Sequence, residues 1–189
     1  EHNSLKTVGD HLNWDRIIDY VRHESEIPES EKPKIIEAYI YLKTALGRKF
    51  LVQTHDDKLS FGRIFYNKAP WVLRWSVWLA GVLKMLEVKG YDQLVLNKLK
   101  SRDKKHEGIA LLEMSYLFQR AGFDFSFEPK VEIGQKVKIP DMKISNPANG
   151  ESIYVELTDL KEADIQKLGN IGFLMVLEKL QTSRLLYCG

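Results

Sequence analysis

Two acidic residues stand out by position. Asp141 and Glu156 sit in IPDMKIS and SIYVEL, short segments that alternate apolar with polar residues and flank the turn-rich string NPANG. With the turn centred between Ala148 and Asn149, Ile144 faces Ile153, Met142 faces Val155 and Pro140 faces Leu157. All six are apolar and share one side of a hairpin. A slip of one residue mixes apolar with polar along both strands, so burial selects this register. The opposite side then carries Asp141 across from Glu156 and Lys143 across from Tyr154. Directly opposed residues have Cβ atoms ~5 Å apart.

Like charges at that separation repel unless something compensates. A divalent cation is the simplest compensation, because Mg²⁺ or Mn²⁺ prefers oxygen donors and needs few of them from the protein. The alternatives are that one carboxylate turns to solvent or that Lys143 neutralises the pair. A third carboxylate, Glu113, lies inside IALLEMSYLF, where eight of ten residues are apolar. An ionised side chain in a helix apolar nearly all round needs a partner or a metal, unless it occupies an amphipathic edge. The chemistry these residues point to is binding of a divalent cation.

The order IPDMKI, turn, IYVELT resembles the paired-strand motif of the restriction-endonuclease-like PD-(D/E)XK nucleases. Pro140-Asp141 corresponds to the PD, and Glu156-Leu157-Thr158 to the (D/E)XK. The preceding helix with Glu113, followed by GFDFSFEP, matches the family's helix and first strand. The resemblance covers residues 105–189. It implies a core of order α-β-β-β-α-β, a central mixed sheet flanked by helices, and hydrolysis of nucleic acid, with DNA the expected form. It implies Mg²⁺ or Mn²⁺ held by Asp141, Glu156, Glu113 and the backbone carbonyl of Leu157. The sequence departs from the motif at one position. Thr158 stands where the family has the lysine that positions water and stabilises developing charge. Lys143, diagonal to Glu156 on the same face, and Lys161, beyond the strand, are the candidates to replace it. An alternative is a catalytically degenerate module that binds nucleic acid or a protein partner, as a homodimer or within a larger assembly.

The elements that must position these residues are legible from periodicity. Asp10 or Asn13 caps a helix carrying Trp14, Ile17, Ile18 and Val21. Ser30 or Glu31 opens a second helix, stopped by Gly47. Phe61 to Tyr66 is ambiguous. Pro70 opens an apolar helix in which Trp71, Trp75, Trp78 and Val82 form a stripe expected to face the core. Ser101 to Lys105 reads as a charged connector, and Glu107 to Ala121 as a helix ended by Gly122; His106-Glu107 either faces the site or merely starts this helix. Phe123, Phe125 and Phe127 then alternate with polar residues up to Pro129, which reads as a half-buried strand. Further strands are expected over 136–145 and 152–159, a helix over 163–180, and a closing strand at RLLYC. The whole is an α/β fold, with a mainly helical region over 1–100 and the nuclease-like core over 101–189.

Composition narrows the class. The chain has 189 residues, 44% hydrophobic and 29% charged, which excludes intrinsic disorder. Cys188 is the single cysteine, so no intrachain disulfide exists. No window suits a membrane span and no signal-peptide layout is visible at the start, so a cytoplasmic protein is expected. The net charge of +2 is uneven: residues 58–105 carry eleven Lys or Arg against three acids, a stretch that either keeps a helical surface solvated, the commoner case, or follows a phosphate backbone. His55-Asp56-Asp57 are adjacent and read as a solvated turn. Neither a nucleophilic triad nor a glycine-rich phosphate loop is visible.

Overall fold

The structure, a computed structural model, describes residues 12–54 and 61–157. They fall within one compact unit, Glu1–Leu157. Among the described residues, seven helices lead into five short strands. The helices are α1 (Trp14–His23), α2 (Lys32–Leu46), α3 (Phe50–Gln53), α4 (Phe61–Tyr66), α5 (Pro70–Val88), α6 (Asp92–Lys100) and α7 (Lys105–Arg120). The strands are β1 (Asp124–Phe127), β2 (Val131–Ile133), β3 (Lys136–Lys138), β4 (Met142–Ser145) and β5 (Ser152–Val155). The chain is mixed α/β, as expected. Thr158, Lys161, the helix over 163–180, the RLLYC strand, Cys188 and His55-Asp56-Asp57 lie outside the described residues.

The helix boundaries follow their local chemistry. Asn13 caps α1, its side-chain oxygen accepting the Asp15 N–H at 2.9 Å. Gly47 ends α2 at φ 96°, and Gly122 follows α7 at φ 81°, a backbone region open to glycine but not to most other residues. The indole of Trp14 packs on Tyr39 and Phe65 and donates to the Gly47 carbonyl at 3.1 Å. One hydrophobic core draws residues from Leu12 to Ile144, on both sides of position 100.

In α5 the buried stripe differs from the expected one. Val82 of that stripe is buried, but the rest of the buried face is Val72, Leu73, Ser76, Leu79, Ala80, Leu83 and Leu86, while Trp71 is 52% exposed. The helix is apolar at so many positions that tryptophan spacing alone does not select a face. Trp75 and Trp78 flank the core instead, Trp75 stacking on Phe61 at 6.0 Å and Trp78 meeting Tyr116 of α7 edge-on at 5.7 Å.

β1, β4 and β5 form an antiparallel sheet in that spatial order, and β2 pairs with β3 in a separate hairpin. The strand expected over 136–145 is therefore two strands. Pro140 lacks an N–H and restricts Ile139, so β3 ends at Lys138 in one sheet and β4 begins at Met142 in the other. The β2–β3 turn is Gly134-Gln135, with Gly134 at φ 63°, the glycine-first arrangement of a two-residue hairpin. Among the described residues no helix is long and apolar enough to cross a membrane.

Tyr39 of α2 is wholly buried between these helices, its hydroxyl 3.1 Å from that of Ser76. Burial pushes its ionisation from 10.0 up to about 12, against the opposing effect of the Ser76 hydrogen bond. A neutral tyrosine that the fold protects from ionising supports stability fully below pH 10, and that support is lost as pH rises towards 12. We expect wild type to lose on the order of 2 kcal/mol relative to Tyr39→Phe across that window, read by urea unfolding at each pH.

Candidate metal centre and the hairpin that carries it

The β4–β5 register is the one the burial pattern demands. Met142 pairs with Val155, Lys143 with Tyr154, Ile144 with Ile153 and Ser145 with Ser152. Met142 and Ile144 are buried and Ile153 and Val155 half-buried, whereas Tyr154 is exposed and Lys143 half-buried. The turn holds this register through its own polar groups. Asn146 donates its N–H to Glu151 O at 2.8 Å and accepts the Gly150 N–H on its carbonyl at 2.8 Å; Gly150 adopts φ 73°. The side-chain oxygens of Asn146 and Asn149 accept the N–H groups of Ala148 and Glu151.

One step beyond the last paired residues, the same register sets Asp141 against Glu156. Asp141 is half-buried and its Oδ2 accepts the backbone N–H of Leu157 at 2.6 Å. That charge-assisted bond crosses from the end of β4 to the end of β5, so the Asp141 carboxylate lies at the backbone that joins Glu156 to Leu157. Glu156 is exposed.

A matching row exists on the other side. β1 pairs with β4 from Asp124↔Ser145 to Phe127↔Met142. One step further, the Glu128 N–H donates to the Asp141 carbonyl at 3.0 Å. Glu128, Asp141 and Glu156 are therefore consecutive across the end of the sheet. Glu128 is also the described non-glycine residue with positive φ, at 48°.

Sequence reasoning missed what Glu128 does there. Its carboxylate pairs with Lys98 of α6 at 3.2 Å, and Lys98 also bonds Glu107 in the first turn of α7. Lys98 is 8% exposed. Burial alone would depress its ammonium pKa, but hydrogen bonds and charges from Glu107 and Glu128 outweigh burial and raise it. The signal available beforehand was weak: a lysine in a surface-like NKLK string gives no sign that α6 and α7 close over it. Their close approach is set by Gly108, where a Cβ would stand 3.1 Å from the Leu99 backbone nitrogen.

Glu113 is exposed on α7, on the helix edge rather than within its buried face of Gly108, Leu111, Leu112 and Ser115. Among the described residues no group of three or more His, Cys, Asp or Glu side chains is close enough to hold a metal. Of the basic stretch, Lys98 and Lys105 are buried, Lys89 pairs with Asp124 and Lys84 with Glu37. The surface share of that charge is thus smaller than composition suggests, with Arg74 and Lys104 among the exposed members. A groove of about 900 Å³, walled by Ile27, Leu73, Trp78, Met85 and Tyr116, contains none of the sheet carboxylates.

Comparison with family models, characterised proteins and solved structures finds no match to this chain.

The Asp141–Leu157 bond is testable by itself. Asp141→Ala removes the acceptor and should cost about 1.5 kcal/mol in urea unfolding, in the range for hydrogen bonds to charged groups. Asp141→Asn keeps an acceptor oxygen and should recover most of that loss.

Proposed function

We propose that this chain is a metal-dependent nuclease that hydrolyses phosphodiester bonds of nucleic acid, with DNA the expected substrate. The single observation that carries the reading is the hairpin register, which brings Asp141 to the Glu156–Leu157 backbone. The donors suit a hard cation. Asp141, Glu156 and the Leu157 carbonyl are all oxygen ligands, and Mg²⁺ characteristically takes one or two carboxylates and keeps several waters. One Asp141 oxygen is engaged by the Leu157 N–H, which leaves the other for the ion. When bound, the metal would supply a water of lowered pKa and offset charge on the scissile phosphate.

The chain's own residues supply the rest. Asp141 and Glu156 hold the cation from adjacent strands, and the Leu157 N–H keeps the Asp141 carboxylate oriented. Lys143, two residues beyond Asp141 on the same face, brings an ammonium to the diagonal of Glu156, roughly 7 Å away at Cα and within reach of a long side chain. It takes the charge-stabilising part that Thr158 cannot. Exposed Arg74 and Lys104 are available to the phosphate backbone. Thr158 itself favours a second reading, a degenerate site that binds nucleic acid or protein without cleaving.

Two assays separate these. Wild type should cleave single- or double-stranded DNA with Mg²⁺, Asp141→Asn should be inert, and Lys143→Ala should be at least ~100-fold slower, the lower range for losing a positioned charge or proton-transfer group. If wild type is inert and Thr158→Lys creates cleavage, the degenerate reading holds. No activity in either protein and no binding of DNA or RNA at low salt removes both.

A further inference from the structure

Glu128 occupies a backbone conformation that glutamate seldom adopts, at the end of a strand and beside Asp141. Such a conformation persists only where the surroundings over-determine it. Two contacts do so here. The Glu128 N–H is taken by the Asp141 carbonyl and its carboxylate is taken by Lys98. Lys98 is itself anchored by Glu107 at the start of α7. One ammonium therefore ties α6, α7 and the end of β1 together at the row that holds Asp141.

We propose that Lys98 is a positioning residue for the Asp141 carboxylate. It acts through Glu128: the ion pair holds the left-handed turn, the turn presents the Glu128 N–H to the Asp141 carbonyl, and the backbone so held aims the carboxylate at the Leu157 N–H. The placement is a property of the fold; that it serves a cation rests on the metal reading above. Lys98 thus has a part that a surface lysine following a phosphate backbone would not have. A carboxylate aimed in advance loses less freedom when it takes up a ligand, which is how supporting residues raise metal affinity.

The test turns on glycine, which adopts positive φ without a side chain to hold it there. Hydrogen exchange of the Leu157 and Glu128 amides is followed by NMR in the full 189-residue chain, with core amides of α2 as an internal reference. Lys98→Met should speed Leu157 exchange at least tenfold, and Lys98→Met with Glu128→Gly should restore it to within about threefold of wild type. Glu128→Val, which lacks the carboxylate and disfavours the left-handed region, should behave like Lys98→Met, and Glu128→Gly alone like wild type. Should Lys98→Met unfold the chain, Glu128→Gln, which keeps the side chain but loses the charge that Lys98 holds, takes its place and should speed Leu157 exchange as Glu128→Val does. Equal Leu157 exchange in the Gly and Val variants, or no rescue by glycine, overturns the proposal.

Calorimetric Mn²⁺ titration of the same proteins separates it from the metal reading. Affinity should fall at least tenfold in Lys98→Met and Glu128→Val and return in the double variant. If no protein in the set binds Mn²⁺ while exchange follows the expected pattern, the positioning role stands and the metal reading falls. If wild type binds Mn²⁺ and exchange is uniform across the set, the positioning role falls and the metal reading stands.

Discussion

The hydrogen bond from the Leu157 N–H to the Asp141 carboxylate, 2.6 Å long, is the contact on which the organisation of the site depends. It exists because two constraints meet. The apolar residues of β4 and β5 can reach the core in one register only, and that register ends with Met142 paired to Val155, one step short of Asp141 and Glu156. Pro140 ends the preceding strand, so Asp141 is released from ladder pairing as a bend residue while its carbonyl still serves β1. An Asp inside a continuous strand would lie in the pleat with its carboxylate perpendicular to the sheet. At this break it reaches along the sheet to the next strand's backbone instead.

The helical part of the chain is the support beneath that row. β1 and β4 bury Phe125, Phe127, Met142 and Ile144 in the same core as Leu111 and Leu112 of α7 and Leu96 and Leu99 of α6. Phe125 and Phe127 also pack on Tyr91 at the start of α6, with ring centroids 6.2 and 5.0 Å away. The polar link runs in parallel, from Glu107 through Lys98 to Glu128. Only Lys98 is buried in this link, so removing a carboxylate leaves its ammonium with fewer partners where water is scarce. The helices and the sheet end are thus coupled by charge as well as by apolar contact.

Much of this was legible in the sequence because it depends on local rules. Asn13, Gly47 and Gly122 punctuate helices through cap and turn chemistry that acts within a few residues. The NPANG register followed from alternation alone, and the alternating phenylalanines marked β1. What was not legible depends on tertiary closure. Glu113 was read as an ion inside an apolar helix, but the buried face of α7 turns through Gly108, Leu111, Leu112 and Ser115 and leaves Glu113 outside. The α5 tryptophans were read as one core stripe; the core took the next face, because that helix is apolar almost all round. Lys98 looked like part of a solvated basic run and is buried beneath two carboxylates. The β2–β3 hairpin did carry a signal, Gly134-Gln135, but it lies just ahead of the strand expected over 136–145, and β2 before it is only three residues long.

The central claim is that Asp141 and Glu156 form a cation site at the end of the hairpin. Anomalous diffraction from crystals grown with Mn²⁺ tests it most directly, since the ion's signal locates it independently of any assay for activity. The account predicts a peak bonded to a carboxylate oxygen of Asp141 and one of Glu156, absent in Asp141→Asn crystals. Diffraction that shows both side chains well ordered, no peak between them, and Glu156 turned away into solvent would contradict it.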